Sequence, residues 1–101
     1  MRLLVCGGRE FTDISKLWER LDKMRPTEIL HGNAKGADQL AGQYARSRGL
    51  KEVAVNARKP VGNTYMILNH APDRVLACPG DKGTHNMKQQ ARARGIPVET
   101  L

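Results

Sequence analysis

Apolar and polar positions fall in blocks along this chain: a short apolar run, a glycine-rich break, an amphipathic stretch, then the same again. Leu3-Leu4-Val5-Cys6 is the first apolar run, and it ends at Gly7-Gly8. Ile14, Leu17, Trp18, Leu21 and Met24 then recur at helical spacing. Thr12 or Asp13 supplies the N-cap of that helix, and Pro26 closes it. Glu28-Ile29-Leu30-His31 reads as a second strand, ended by Gly32. The next helix carries Ala37, Leu40, Ala41, Tyr44 and Ala45 on one face, and Gly49 stands where a left-handed C-terminal residue belongs. Val53-Ala54-Val55 is the third strand, followed by a loop over residues 57–62 that contains Pro60. A short helix is expected from about Thr64 toward Ala71. Pro72-Asp73 introduces a fourth strand, Arg74-Val75-Leu76-Ala77-Cys78. The loop Pro79-Gly80-Asp81-Lys82-Gly83 leads to Thr84 as the N-cap of a last helix, which runs to Arg94 and stops at Gly95. Pro97-Val98-Glu99-Thr100 is an edge strand, where a leading proline is tolerated.

Strands that alternate with helices imply parallel pairing through right-handed crossovers. The expected fold class is therefore α/β: a single open parallel sheet of about five strands with helices on both faces. The 101 residues suit one domain, residues 1–101, and no repeat, linker or low-complexity tract divides them.

In such a sheet, ligands bind outside the carboxyl ends of the strands. The loops that emerge there are the unusual ones in this chain. They read Gly7-Gly8-Arg9-Glu10, Gly32-Asn33-Ala34-Lys35-Gly36-Ala37-Asp38, Asn56-Ala57-Arg58-Lys59-Pro60, and Pro79-Gly80-Asp81-Lys82-Gly83-Thr84. Glycine lets backbone N–H groups approach an anion, and the start of the following helix favours phosphate. Each loop also carries a cation: Arg9, Lys35, Arg58 with Lys59, and Lys82. Glu10, Asp38 and Asp81 offset part of that charge, and a carboxylate there accepts hydrogen bonds from ribose hydroxyls. Tight βα turns also need glycine, so a single such loop would mean little. Neither G-x-G-x-x-G nor G-x-x-x-x-G-K-[ST] occurs, which disfavours a dinucleotide fingerprint and a Walker-type loop.

Charge sharpens this reading. The formal net charge is +7, which fits a polyanionic ligand or nucleic acid as well as a basic soluble surface. Arg46, Arg48, Lys51, Lys88, Arg92 and Arg94 sit toward helix ends, where they complement the helix dipole. No aromatic residues interleave with them, so base stacking has no platform. Cys6 and Cys78 lie in apolar runs and read as buried free thiols of a reducing compartment. No apolar stretch approaches the ~18 residues of a membrane span, and Met1-Arg2 leads directly into a strand rather than a signal peptide. A cytoplasmic protein without membrane partners is expected. His31, His70 and His85 have no metal-ligand spacing, so neither metal nor cofactor is expected. His31 ends a strand at the site, where it either contacts a ligand or makes a structural hydrogen bond. His85 lies in a first helical turn facing it, and His70 reads as a surface residue. Trp18 reads as core or dimer interface.

The strings Cys6-Gly7-Gly8-Arg9-Glu10-Phe11-Thr12-Asp13, His31-Gly32-Asn33-Ala34-Lys35-Gly36-Ala37-Asp38, Asn63-Thr64-Tyr65-Met66, Ala71-Pro72-Asp73 and Pro79-Gly80-Asp81-Lys82-Gly83-Thr84 occur in this order. Together they resemble the YspA-type branch of the SLOG superfamily, over nearly the whole chain. That superfamily is similar to the cytokinin-activating phosphoribohydrolases and to the Rossmann-like domain of the DNA-processing protein DprA. The resemblance implies a Rossmann-like domain that binds a nucleotide or a nucleotide-derived signal, of the ADP-ribose or cyclic-nucleotide class, as a sensor or a sequestering protein. It implies phosphate held by the amides of Gly8, Gly32, Gly36, Gly80, Gly83 and Thr84, and neutralised by Arg9, Lys35 and Lys82. Asn33 and Asp38 would contact sugar or base, with Gly7, His31, Asn63, Pro79 and Asp81 completing the surroundings. It also implies a homodimer or higher homo-oligomer. The phosphoribohydrolases carry P-G-G-x-G-T-x-x-E with a catalytic glutamate; here Asp81 replaces the second glycine and Met87 stands at the glutamate position. Gly62 stands where an arginine usually precedes the Asn-x-x-Met segment. Binding without turnover is therefore the leading expectation. The alternatives are a nucleotide N-glycosidase working through Asp38 or Glu10, and a nucleic-acid-binding module.

Overall fold

The computed structural model describes residues 1–55 and 67–101. Five strands form one all-parallel sheet in the order β3-β2-β1-β4-β5. They are β1 (Arg2–Cys6), β2 (Glu28–His31), β3 (Lys51–Ala54), β4 (Arg74–Ala77) and β5 (Val98–Thr100). Helices α1 (Ile14–Met24) and α2 (Ala37–Arg48) connect the first three strands, and α3 (Lys82–Ala93) connects the last two. Ile67 and Leu68 are helical ahead of β4; the expected start of that helix near Thr64 lies outside the described residues.

Alternation along the central strands explains why both faces are covered. Leu3, Val5, Ile29, Leu76 and Cys78 pack on one face with Leu17, Leu21, Ala41 and Tyr44 of α1 and α2. Leu4, Cys6, Leu30, Val75 and Ala77 pack on the other with Ile67, Leu68, and Met87 and Ala91 of α3. Strands buried on both faces need continuous apolar runs, and β1, β2 and β4 supply them. Each fully buried aliphatic side chain contributes roughly 1.5–3 kcal/mol. The two thiols are free, and although their strands are neighbours they lie on opposite faces. Burial pushes both up to about 12, so neither is a thiolate at neutral pH.

Three local expectations are corrected. The third strand begins at Lys51, because Lys51 and Glu52 pair with Glu28 and Ile29 at the sheet edge, where polar residues are accommodated. Val55 still donates its N–H to the carbonyl of His31 at 2.9 Å, although it lies past the strand. The N-cap of α3 is Asp81 rather than Thr84: the Asp81 carboxylate accepts the Gly83 N–H at 3.0 Å, and Thr84 sits buried in the first turn. Ile14 was expected on the apolar face of α1, yet it is 38 % exposed, because the buried stripe runs through Leu17 and Leu21.

The first helix ends on Arg25, which is left-handed at φ 54° and donates its N–H to Leu21. Glycine adopts that conformation without the Cβ clash. Arg25→Gly is therefore expected to raise stability by about 0.5–1 kcal/mol, the relief of the left-handed penalty less the entropy glycine adds to the unfolded chain. Urea unfolding measures it, and a lower midpoint would refute the strain.

Candidate functional site

Strand order reverses between β1 and β4, and the loops after these two strands meet at the carboxyl edge of the sheet. Gly8 donates its N–H to the carbonyl of Pro79 at 2.8 Å, which ties the two loops together. This contact depends on glycine. A Cβ on Gly80 would collide with the Thr84 hydroxyl and stand 2.7 Å from the Gly8 nitrogen. The loop after β2 packs behind: Gly36, at φ 81°, lies so close to Gly8 that a Cβ would collide with the Gly8 carbonyl oxygen. The glycines thus let three backbones of the protein approach one another.

Between residues 8–13 and residues 79–81 opens a cleft of about 620 Å³. Arg9 and Glu10 stand exposed at its wall, and Phe11 offers a partly buried apolar surface. Arg9 forms no ion pair among the described residues. A smaller notch of about 370 Å³ lies on the other side of Pro79, Gly80 and Asp81, walled by Thr84, His85 and Lys88 of α3 and by Thr100. Thr84 is 6 % exposed, and its hydroxyl has no hydrogen-bond partner among the described residues. Buried polar groups are nearly always paired, so this hydroxyl stands out.

The loop after β2 differs. Its amides are accepted by the protein's own side chains. The Asp38 carboxylate takes the N–H of Gly32 at 3.0 Å and of Ala34 at 3.3 Å. The N–H of Asn33, a left-handed residue at φ 58°, goes to Nδ1 of His31 at 2.9 Å. That bond fixes the tautomer: Nε2 carries the proton and donates it to Glu52 at 2.7 Å. Arg46 completes the chain with bonds of 2.6 and 2.7 Å to Glu52. His31 is 1 % exposed and both ring nitrogens are engaged within the fold.

Of the residues expected at the site, the cleft brings together Gly8, Arg9, Glu10, Pro79, Gly80 and Asp81. Asp81 also caps α3, so the amide of Gly83 is directed at its carboxylate. Gly7 is wedged between Ala37 and Cys78. His31, Gly32, Asn33 and Asp38 belong to the internally bonded loop. Lys35 and Lys82 are exposed and do not wall the cleft. Asn63, Arg58 and Lys59 lie outside the described residues. Sequence reasoning assigned Phe11 no role at the site and overlooked Glu52. The signal for Phe11 was its place directly after the first loop in a chain with few aromatics; Glu52, an acid inside a strand, gave none that named His31. Trp18 is accounted for by packing: its indole N–H donates to the Leu40 carbonyl, and Arg48 stacks over it and over Tyr44. His85 is exposed beside the notch, and the backbone carbonyl of exposed His70 accepts from Arg2.

Among the described residues no group of three His, Cys, Asp or Glu side chains is arranged to hold a metal, and no helix is long and apolar enough to cross a membrane.

A 3-2-1-4-5 parallel sheet with its cleft at the strand-order switch defines a Rossmann-like α/β domain. Residues 1–59 match the YspA, cpYpsA-related SLOG family, and the chain belongs to that family. Comparison with curated proteins gives no match.

Two predictions follow from the internally bonded loop. Burial raises the Asp38 carboxyl above its usual range, against the opposing pull of the Ala34 and Gly32 amides. A raised carboxyl contributes stability below its unfolded pKa and loses it as pH rises through the folded value. Asp38→Asn keeps an acceptor and removes the charge, so it should match or exceed the parent at pH 7. Asp38→Ala leaves two amides unpaired and should cost about 1–3 kcal/mol. Urea titration separates them, and equal damage from both would refute the account. Burial also raises Glu52, but the hydrogen bonds of His31 and Arg46 and the Arg46 charge outweigh it and hold the carboxyl below the ordinary range. Its contribution is present above the unfolded value of about 4.5 and is lost as pH falls through the folded one. Glu52→Gln should lower stability at pH 7 and flatten the acid limb of a stability–pH curve; an unchanged limb would show that the pairing contributes nothing.

Proposed function

We propose that this chain binds a nucleotide or nucleotide-derived signalling ligand, of the ADP-ribose or cyclic-nucleotide class, as a sensor or sequestering protein. The observation that carries the proposal is the 620 Å³ cleft at the carboxyl edge, where the loops after β1 and β4 diverge. Its size suits a mononucleotide or a somewhat larger derivative. Arg9 is the cation that meets phosphate, and Phe11 is the apolar surface for a base. Thr84, packed over Gly80, lies in the smaller notch on the other side of residues 79–81 and takes no part in the cleft. Gly80 belongs to the wall in this reading, and Asp81 reaches ribose hydroxyls while capping α3. The amides of Gly32 and Gly83 hold the loops in shape rather than the ligand.

Turnover is a second reading, favoured by Glu10 at the cleft wall. It does not draw on the position of the phosphoribohydrolase glutamate, because Met87 there is 6 % exposed in the core.

A thermal-shift series with ADP-ribose, cyclic nucleotides and nucleoside monophosphates tests the proposal, since a ligand at 100 times its Kd adds about 2.7 kcal/mol. At least one of these should raise Tm, and Arg9→Ala should weaken its binding by roughly tenfold or more, the loss of one charge-assisted bond. No shift with any of them would sink the binding reading. Free base released from a monophosphate, and abolished by Glu10→Gln, would replace it with the glycosidase.

A further inference from the structure

The net charge of +7 is not spread evenly over the protein. Arg2, Lys23, Arg46, Arg48, Lys51 and Arg74 are each paired with a carboxylate. Helix α3 has no acidic residue, and its Lys82, Lys88 and Arg92 form no ion pair among the described residues. Thr84, Met87 and Ala91 turn into the protein. His85, Lys88 and Arg92 therefore recur at i, i+3 and i+7 along one flank, a strip of roughly 10 Å at 1.5 Å per residue. The helix dipole explains Arg92 in the last turn. It does not explain Lys82, the first helical residue, where a positive charge opposes the dipole, nor Lys88 in the middle.

We infer that this flank of α3 is a docking strip for the phosphate backbone of a nucleic acid, separate from the nucleotide cleft. Lys82, Lys88 and Arg92, with no acid on the helix among them, make a row of three cations that complements a chain of evenly spaced phosphates. The helix carries no aromatic residue, so recognition runs through phosphates and is indifferent to base sequence. The inference is independent of the nucleotide proposal, since Arg9 and Phe11 take no part in it.

Fluorescence anisotropy with a labelled mixed-sequence DNA of about 20 nucleotides, single-stranded and then duplex, measures the interaction across a salt series. Binding at low salt should fall with a log–log slope of roughly −2 for the single strand, the value for about three phosphates neutralised. Lys88→Glu with Arg92→Glu should weaken binding at least tenfold and flatten the slope, while leaving the nucleotide thermal shift unchanged. The control is Lys16→Glu with Arg25→Glu, which removes the same charge from exposed positions on α1 and at its C-cap. Equal weakening by both pairs would mean that net charge, not this strip, attracts DNA, and the inference fails. It fails also if neither DNA binds at low salt, or if polyglutamate competes as well as unlabelled DNA does. Loss of DNA binding in Arg9→Ala would place the strand in the cleft and overturn the strip.

Discussion

The contact on which the carboxyl edge depends is backbone against backbone: the Gly8 amide on the Pro79 carbonyl, with Gly36 and Gly80 close enough that a methyl group at either would collide. A parallel sheet places its strand ends side by side but does not by itself bring the following loops together. Removing three side chains at the meeting point does. β1 lies at the centre of the sheet, so its loop touches both neighbours at once.

That constraint changes what the glycine-rich loops mean. Glycine before a helix is commonly read as an approach to phosphate. In this chain, much of the glycine serves the approach of the chain to itself. The amides of residues 32–34 already have acceptors in Asp38 and His31, and the amide of Gly83 has one in Asp81. An acceptor supplied internally satisfies the same donors that an anion would. Among the described residues, what remains open toward solvent is the ground between the first and last of these loops, where the Arg9 guanidinium forms no ion pair with a described residue.

Charge is organised with similar economy. On the α1–α2 side Lys23, Arg46 and Arg48 each meet a carboxylate, and Arg48 also stacks on Trp18 and Tyr44. On α3 the cations form no ion pair among the described residues. Arg46 ties α2 to β3 through Glu52, which bonds His31 of β2, and Arg48 ties α2 to α1 through Asp22. The cations of α3 have no such structural duty, which leaves their field directed outward.

Much of the architecture was legible in the chain. Apolar runs separated by helical periodicity gave the strand and helix order, and Gly49 and Pro26 marked helix ends close to where they fall. The family resemblance rested on whole strings of residues and is upheld over residues 1–59. Less legible was which side chain answers which amide. Asp38 and Asp81 read equally well as ligand contacts, because a carboxylate beside free N–H groups looks the same in sequence whether it accepts them or leaves them for a guest. Asp81 rather than Thr84 caps α3, since the chain reaches the helix axis one turn earlier than the threonine suggested. His31 could be placed at a strand end, but its partner Glu52 lies 21 residues on, and only the pairing of β2 with β3 joins them. Period and composition are local properties, so the sequence alone determined the elements, the buried faces and the edge where a ligand would sit. Hydrogen-bond partnership is a property of distance between remote residues, so only the tertiary structure decided which of those polar groups the fold itself occupies.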